Sequence, residues 1–249
     1  MRASDTKKTE IKEDREMYKY ETHVHTSEAS RCGKQSGAEV ARLYRELGYD
    51  GIIITDHFVN GSTRTTPDMS WEEKMDIFTS GYKNAKAEGD NIGLDVFFGM
   101  EFNYRHTEVL VYGLSEEWLY SHPDCDKLDM REFCTLARES GAFVVAAHPF
   151  RQRPYIKAIC LYPDCVDAVE VVNTSHTPDM PFDRRAEWYA NEYNLAKTGG
   201  SDNHFREQKQ IGGIKTEKKI GKISDYGDIV RSGQLEIFKE DNVILSSRE

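Results

Sequence analysis

Asp50-Gly51-Ile52-Ile53-Ile54-Thr55-Asp56-His57 is the stretch from which the fold is read. Asp-Gly is a turn signal. The three isoleucines after it form a continuous β-branched run, the pattern of a strand buried on both faces of a parallel sheet. The run stops at Thr55-Asp56-His57, polar residues at the strand's C-terminal end. Upstream, Val40, Leu43, Tyr44 and Leu47 recur at helical spacing within Gln35 to Leu47. Ser36 is placed to cap that helix and Gly48 to stop it. Earlier still, Tyr18-Lys19-Tyr20-Glu21-Thr22-His23-Val24-His25-Thr26 reads as a first strand closing in two histidines. Residues two apart on a strand share a face, so His23 and His25 present two imidazoles to one side. Strand, helix and strand make one βαβ unit.

The same alternation runs downstream. Trp71 to Glu88 carries a helical stripe of Trp71, Met75, Phe78 and Tyr82. Val96 to Phe102 is a strand with Glu101 at its end, and Glu108 to Tyr112 returns from a hairpin turn at Asn103 to Thr107. Leu128 to Glu139 is a helix, and Phe143 to Ala147 a buried strand ending in His148-Pro149-Phe150-Arg151. Ala168 to Asn173 is a strand, Asp183 to Tyr193 a helix, and Leu195 to Gly200 a short strand entering Ser201-Asp202-Asn203-His204. Gly213 to Thr216 and Tyr226 to Ser232 are the last strand and helix. Alternating strands and helices imply a parallel sheet with every C-terminal strand end on one side. About seven units suggest closure into a barrel, whose chemistry sits at that rim. The residues singled out all fall there.

The 249 residues read as one α/β domain, with a core from about residue 18 to 220. The apolar fraction of 38% suits a sizeable core. No apolar run is long enough for a transmembrane helix. Met1 to Met17 is charged and polar, unlike a secretory signal, and reads as a frayed lead-in. Five cysteines at spacings that match no zinc ribbon read as reduced residues of a cytoplasmic protein. Cys32 stands apart because it follows His25 in the first loop. The net charge of −10 and the lack of a strong basic run argue against coating an extended nucleic-acid duplex. They do not exclude a small anionic substrate, since bound metal reverses the local potential. Oligomeric state is not readable.

His23, His25, His57, Glu101, His148, Asp202 and His204 form the candidate ligand set. Imidazole with carboxylate suits zinc, manganese or iron. A glutamate among histidines can bridge two metals, and ions about 3.5–4 Å apart clamp both oxygens of a hydrolytic displacement and supply hydroxide near neutral pH. A phosphoester is the natural substrate, with Arg151 placed to grip an anionic oxygen. His176 is a candidate substrate contact or acid, with an ordinary loop histidine as the alternative. Asp56 reads as a carboxylate that orients a histidine. Glu170 is open between ligand and buried structural carboxylate.

His23-Val24-His25-Thr26, Thr55-Asp56-His57, Gly99-Met100-Glu101, Ala147-His148-Pro149 and Gly200-Ser201-Asp202-Asn203-His204 resemble the successive motifs of the PHP (polymerase and histidinol phosphatase) domain. They occur in family order from about Tyr18 to Ile220. The resemblance implies a distorted (β/α)7 TIM-like barrel with two or three divalent transition-metal ions and phosphoesterase activity on a small phosphomonoester or nucleotide. It implies that His23, His25, Glu101 and Asp202 hold one metal. Glu101 would bridge to a second metal on His148, and His57 and His204 would bind a third. Two positions depart from the family pattern. A histidine expected on the returning strand is Leu110 here, with Glu108 or His106 as replacements. The third-site ligand expected after the first motif falls nearest Glu28, with Ser30 less able to serve. A histidinol-phosphate phosphatase is disfavoured because Ser27 to Gly33 lacks a histidine. A nuclease trimming short ends and a non-catalytic metal-binding module are the remaining rivals.

Overall fold

The structure is a computed structural model and describes residues 17–177 and 180–246. The expected lead-in therefore lies, but for Met17, outside the described residues. Strands β1 (Tyr18–Val24), β2 (Gly51–Ile54), β3 (Asp95–Tyr104), β4 (Thr107–Tyr112), β5 (Phe143–Ala146), β6 (Ala168–Asn173) and β7 (Ala196–Gly200) form a nearly closed, TIM-like barrel. Beyond β1 the sheet continues into β8 (Gln210–Thr216) and β9 (Glu236–Asp241), in the order β7-β6-β5-β4-β3-β2-β1-β8-β9. The last strand lies past residue 220, where the sequence reading ended the core.

The seam between β7 and β1 closes above the ladders. Val24 bridges Asn203, with His25 N donating to Asn203 O at 3.0 Å and Asn203 N to His23 O at 3.4 Å. Glu21 reinforces it from inside. Its buried carboxylate accepts from the backbone N–H of Thr22, His23 and Ser201 and from the Ser201 hydroxyl.

In the middle of the otherwise parallel barrel stands the hairpin expected at Asn103 to Thr107. β3–β4 and β4–β5 are antiparallel because Arg105 and His106 turn the chain in a two-residue hairpin, both at positive φ (52° and 67°). β8 runs antiparallel to both β1 and β9. Reversal of β4 brings its N-terminal end, with Glu108, to the rim where β3 and β5 end.

Helices α1 (Gly37–Glu46), α2 (Trp71–Ile92) and α4 (Met130–Glu139) each begin at a capping box, Ser36/Glu39, Ser70/Glu73 and Asp129/Glu132. The short α3 (Glu116–Ser121), β9 and α7 (Val243–Ser246) had no clear sequence signal, being too brief for periodicity. Helices α5 (Phe182–Glu192) and α6 (Ile223–Ser232) complete the set. Ile53 points into a cluster with Tyr20, Leu110, Tyr112, Val145 and Tyr226, while Ile52 and Ile54 pack with Val40, Leu43 and Tyr44 of α1. Burial on both faces is what the isoleucine run required. No helix among the described residues is long and apolar enough to cross a membrane.

Candidate metal centre

β1 delivers His23 and His25 to the barrel mouth, both buried, with Nε2 atoms 3.2 Å apart. Asp202 Oδ1 lies 3.5 Å from His23 Nε2 and 3.2 Å from His25 Nε2. Glu101 completes the group at 3.6 Å from His23 Nε2 and 3.5 Å from His25 Nε2. A zinc–nitrogen bond of about 2.0–2.1 Å sets tetrahedral ligand edges of about 3.3–3.4 Å. The two imidazoles stand at about that spacing from each other and from each of the two carboxylates. Two imidazole nitrogens facing each other with carboxylate oxygens around them share no hydrogen-bond pattern as good as a common cation.

Around Glu101 a second group gathers. His148 Nε2 lies 3.0 Å from Glu101 Oε1 and 3.6 Å from Glu108 Oε2. His57 Nδ1 lies 2.7 Å from Glu101 Oε2 and 3.9 Å from Glu108 Oε1. His57 Nδ1 and Glu101 Oε2 are both buried and, despite their proximity, neither has a hydrogen-bond partner. Orphaned buried polar atoms are costly, and a cation between them would satisfy both. The donor set therefore fits divalent metal. A third group brings ligand atoms of His25, His57 and His204 within 4.8 Å of one another.

Backbone strain marks the same residues. His148 (φ 29°) and Asp202 (φ 50°) occupy the left-handed region, unusual for side chains of this kind and tolerated where surrounding structure over-determines the conformation. Each sits where the strand has ended and the chain must turn its side chain inward.

Carboxylates outside the ligand groups hold the rings. Glu170 accepts from His23 Nδ1 at 2.9 Å, from His148 N at 2.9 Å and from Asn173 Nδ2 at 2.9 Å. This settles which His23 nitrogen faces the site, because Nδ1–H is committed and Nε2 keeps its lone pair. Asp56 accepts from Thr26 N (2.7 Å), Thr26 Oγ1 (2.6 Å) and Ser30 Oγ (2.6 Å). Ser30 in turn lies 3.3 Å from His25 Nδ1 and accepts from His57 N at 3.1 Å. Asp56 thus acts on the site through Ser30.

Burial opposes the charge of Asp202, but Arg151, His23 and His204 hold it well below the usual carboxylate range. Glu101 is likewise held down against burial by His57 and His23. Burial, with His204 and His57 nearby, pushes His25 well down, leaving it a neutral donor of its lone pair. Burial also disfavours charge on His23, yet Glu170, Asp202 and Glu101 together raise it.

Glu28, expected as a third-site ligand, is not among these groups. Its carboxylate receives Gly37 N at 3.0 and 3.1 Å and Asn84 Nδ2 at 2.9 Å, tying the loop to the first turn of α1. An acidic group at a helix N-terminus is well placed there and unavailable to the rim. His106 is at the hairpin tip, 5.4 Å ring to ring from Tyr155, so Glu108 is the residue of that hairpin that reaches the cluster. Leu110 is buried in the barrel.

Arg151 pairs with Asp202 and donates to Ser175 Oγ at 2.7 Å. His176 is buried; its Nδ1 donates to Asp183 at 2.7 Å and its Nε2 accepts from Arg151 Nε at 3.4 Å. The His176 ring thus stands between Asp183 and Arg151 with both nitrogens in contact. Arg151 and His176 line a cleft of about 660 Å³ opening beside Asp202 and His204, with Arg153, Phe205 and Lys209 further along.

Glu21 and Cys32 are the residues the motif reading left unused. Burial pushes the Glu21 carboxyl up to about 7, against the amides it accepts. Burial likewise opposes ionisation of the Cys32 thiol, but hydrogen bonds with His204 and His57 bring it down to about 6. A carboxylate inside β1 and a cysteine seven residues after the His-x-His pair were the signals present.

The sequence matches no protein-family model and no curated relative. The fold does match solved structures. A two-domain protein from Bacteroides vulgatus, described as containing a predicted PHP-like metal-dependent phosphoesterase, superposes with a TM-score of 0.64 at 16% identity over 89% of this chain. The match spans 64% of that longer protein. PsfC from Pseudomonas syringae aligns at TM-score 0.58 and 17% identity, covering 94% of this chain and 97% of its own. A protein from Bifidobacterium adolescentis, provisionally assigned as a metal-dependent phosphoesterase, aligns at 0.53 and 17%, covering 86% and 96%.

Proposed function

We propose that this chain, which has the fold of the PHP-like metal-dependent phosphoesterases, hydrolyses a small phosphomonoester or nucleotide at a centre of two or three divalent transition metals. The observation that carries the reading is the convergence of His23, His25, Glu101 and Asp202 at ligand spacing beside the Glu101–Glu108–His148–His57 group. Zinc, manganese or iron in these positions would supply an activated water and offset the charge developing on the phosphoryl oxygens. The chain's own contribution is orientation. Glu170 fixes His23, the Asp56–Ser30 pair braces His25, and His176 with Asp183 holds Arg151 at the cleft wall. Arg151 is the group placed to bind an anionic oxygen of the substrate, as guanidinium does well. A cleft of about 660 Å³ is much larger than a phosphate ion and accommodates an organic leaving group.

Incubating protein loaded with Zn²⁺, Mn²⁺ or Fe²⁺ against a panel of phosphomonoesters and nucleotides tests this. Turnover is expected for at least one metal, with His25→Ala and Asp202→Ala losing bound metal and activity together. Full activity in either variant, or none in every metal-loaded form, would refute the assignment.

A further inference from the structure

Between Phe150 and Leu161 the chain runs along the barrel mouth with neither helix nor strand. Apolar anchors hold both ends. Phe150 packs edge-on against Tyr189, ring centroids 6.1 Å apart, and Leu161 and Tyr162 pack on the same core. Across residues 152–160 the hydrogen bonds stay inside the segment. Ile156 N donates to Arg153 O at 2.9 Å, Arg153 Nη1 to Gln152 O at 3.3 Å and Lys157 Nζ to Pro154 O at 3.5 Å. None joins these nine residues to the rest of the described chain, and seven of the nine are exposed. The Tyr155 ring, 56% exposed, rests on His106 at the hairpin tip, 5.4 Å between centroids. A stretch with so few contacts between its anchors opens at low free-energy cost. Its first part lines the 660 Å³ cleft through Arg151 and Arg153. Further on, Ile156 and Ile159 wall a void of about 20 Å³ together with Glu108 and His148. Residues 151–160 carry three cations, Arg151, Arg153 and Lys157, and no carboxylate, in a chain of net charge −10. Arg151 pairs with Asp202, whereas Arg153 and Lys157 bond only carbonyls of their own segment.

We propose that residues 151–160 are a strap that opens by parting Tyr155 from His106 and closes on an anionic phosphoester, which Arg153 and Lys157 draw towards Arg151. Unpaired cations beside a cleft raise the local concentration of an anion there. Closed, the strap covers Glu108 and His148 and keeps bulk water from that side of the mouth, where each charge interaction with the phosphoryl group is then stronger. Open, it admits substrate and releases product. The proposal rests on the phosphoester reading above and adds to it a moving part and the residues that respond to substrate.

Limited trypsin digestion of the zinc-reconstituted protein tests it, with phenylphosphonate as a probe that is bound but not hydrolysed. The bond after Lys157 is the strap's open cleavage site, because Arg151 is largely buried and Pro154 protects the bond after Arg153. Proteolysis of this kind follows the population of the open form. Saturating phenylphosphonate, its binding followed by calorimetry, is expected to slow the cut after Lys157 on the order of tenfold, with cleavage after Lys218 unchanged. Tyr155→Ala should be cut faster than wild type without the probe and bind it more weakly, at unchanged metal content. Arg153→Ala should bind the probe more weakly and show less protection at matched occupancy. Bound phenylphosphonate that leaves the Lys157 cut unchanged, a Lys157 bond that is never cut, or a Tyr155→Ala protein that behaves as wild type overturns the strap and leaves the phosphoester reading standing. A metal-loaded wild type that does not bind phenylphosphonate overturns both.

Discussion

His23 shows how one ring is made into a ligand. Its position on β1 aims it at the barrel mouth, and Glu170 decides which nitrogen arrives there. Glu170→Gln keeps the size of the side chain but removes the charge that holds Nδ1–H. Substitutions of this kind cost roughly 10–100-fold in metal affinity. Metal titration of Glu170→Gln should show a loss in that range with the fold intact by circular dichroism; unchanged affinity would reduce Glu170 to packing. The candidate ligands were legible because each His or Asp interrupts an apolar run where a strand stops. Glu170, Glu21 and Glu28 were not legible in the same way. A carboxylate letter looks alike whether it meets a cation, an imidazole or a row of amides, and only the fold tells them apart.

At the scale of elements, the β3–β4 hairpin decides which of its residues reaches the candidate metal-ligand cluster. Arg105 and His106 carry the positive φ of a tight turn, so His106 serves the backbone and Glu108 serves the site. His106→Gly should stabilise the protein by about 1 kcal/mol in denaturant melts, since glycine pays no steric penalty there, and leave metal content unchanged. Glu108→Ala should instead lower the metal stoichiometry. The opposite pattern would return His106 to the ligand set. The periodicity of the longer strands and helices was readable in the sequence, and so was the return of β4 from a hairpin at Asn103 to Thr107; the antiparallel β8 and β9 beyond the barrel were not. A connection as short as that between β3 and β4 leaves no room for the dozen residues a parallel crossover needs, so it reads as an antiparallel return even though Arg-His is not a typical turn pair.

The β1–β7 seam gives a pH dependence. Glu21 has a folded value of about 7, above the ordinary value of 4.5. The folded chain therefore holds this proton more tightly than the unfolded one, and stability falls as pH rises from about 4.5 to about 7. Glu21→Gln keeps an acceptor for the three amides and removes the titration. Its stability relative to wild type should grow across that window by an amount on the order of a few kcal/mol. Parallel pH dependences in chemical denaturation would show that Glu21 is ionised at little cost.

Over the whole molecule, carboxylates and imidazoles brought from β1, β3, β4 and the ends of β2, β5 and β7 share one mouth, where the carboxylates are offset by Arg151 and the histidines around them and a bound cation would offset them further. Ligand that binds the folded state alone stabilises it by about 4 kcal/mol at a thousand times its dissociation constant. For a chain of this size that is a melting shift on the order of 10 °C, to be lost on chelation and recovered on adding back metal. The most direct measurement is elemental analysis of the purified, zinc- or manganese-reconstituted protein beside Asp202→Ala. Two or three equivalents of divalent transition metal in the wild type, falling in the variant, is the predicted result. A wild-type protein that stays metal-free, or a variant that retains every equivalent, would contradict the account.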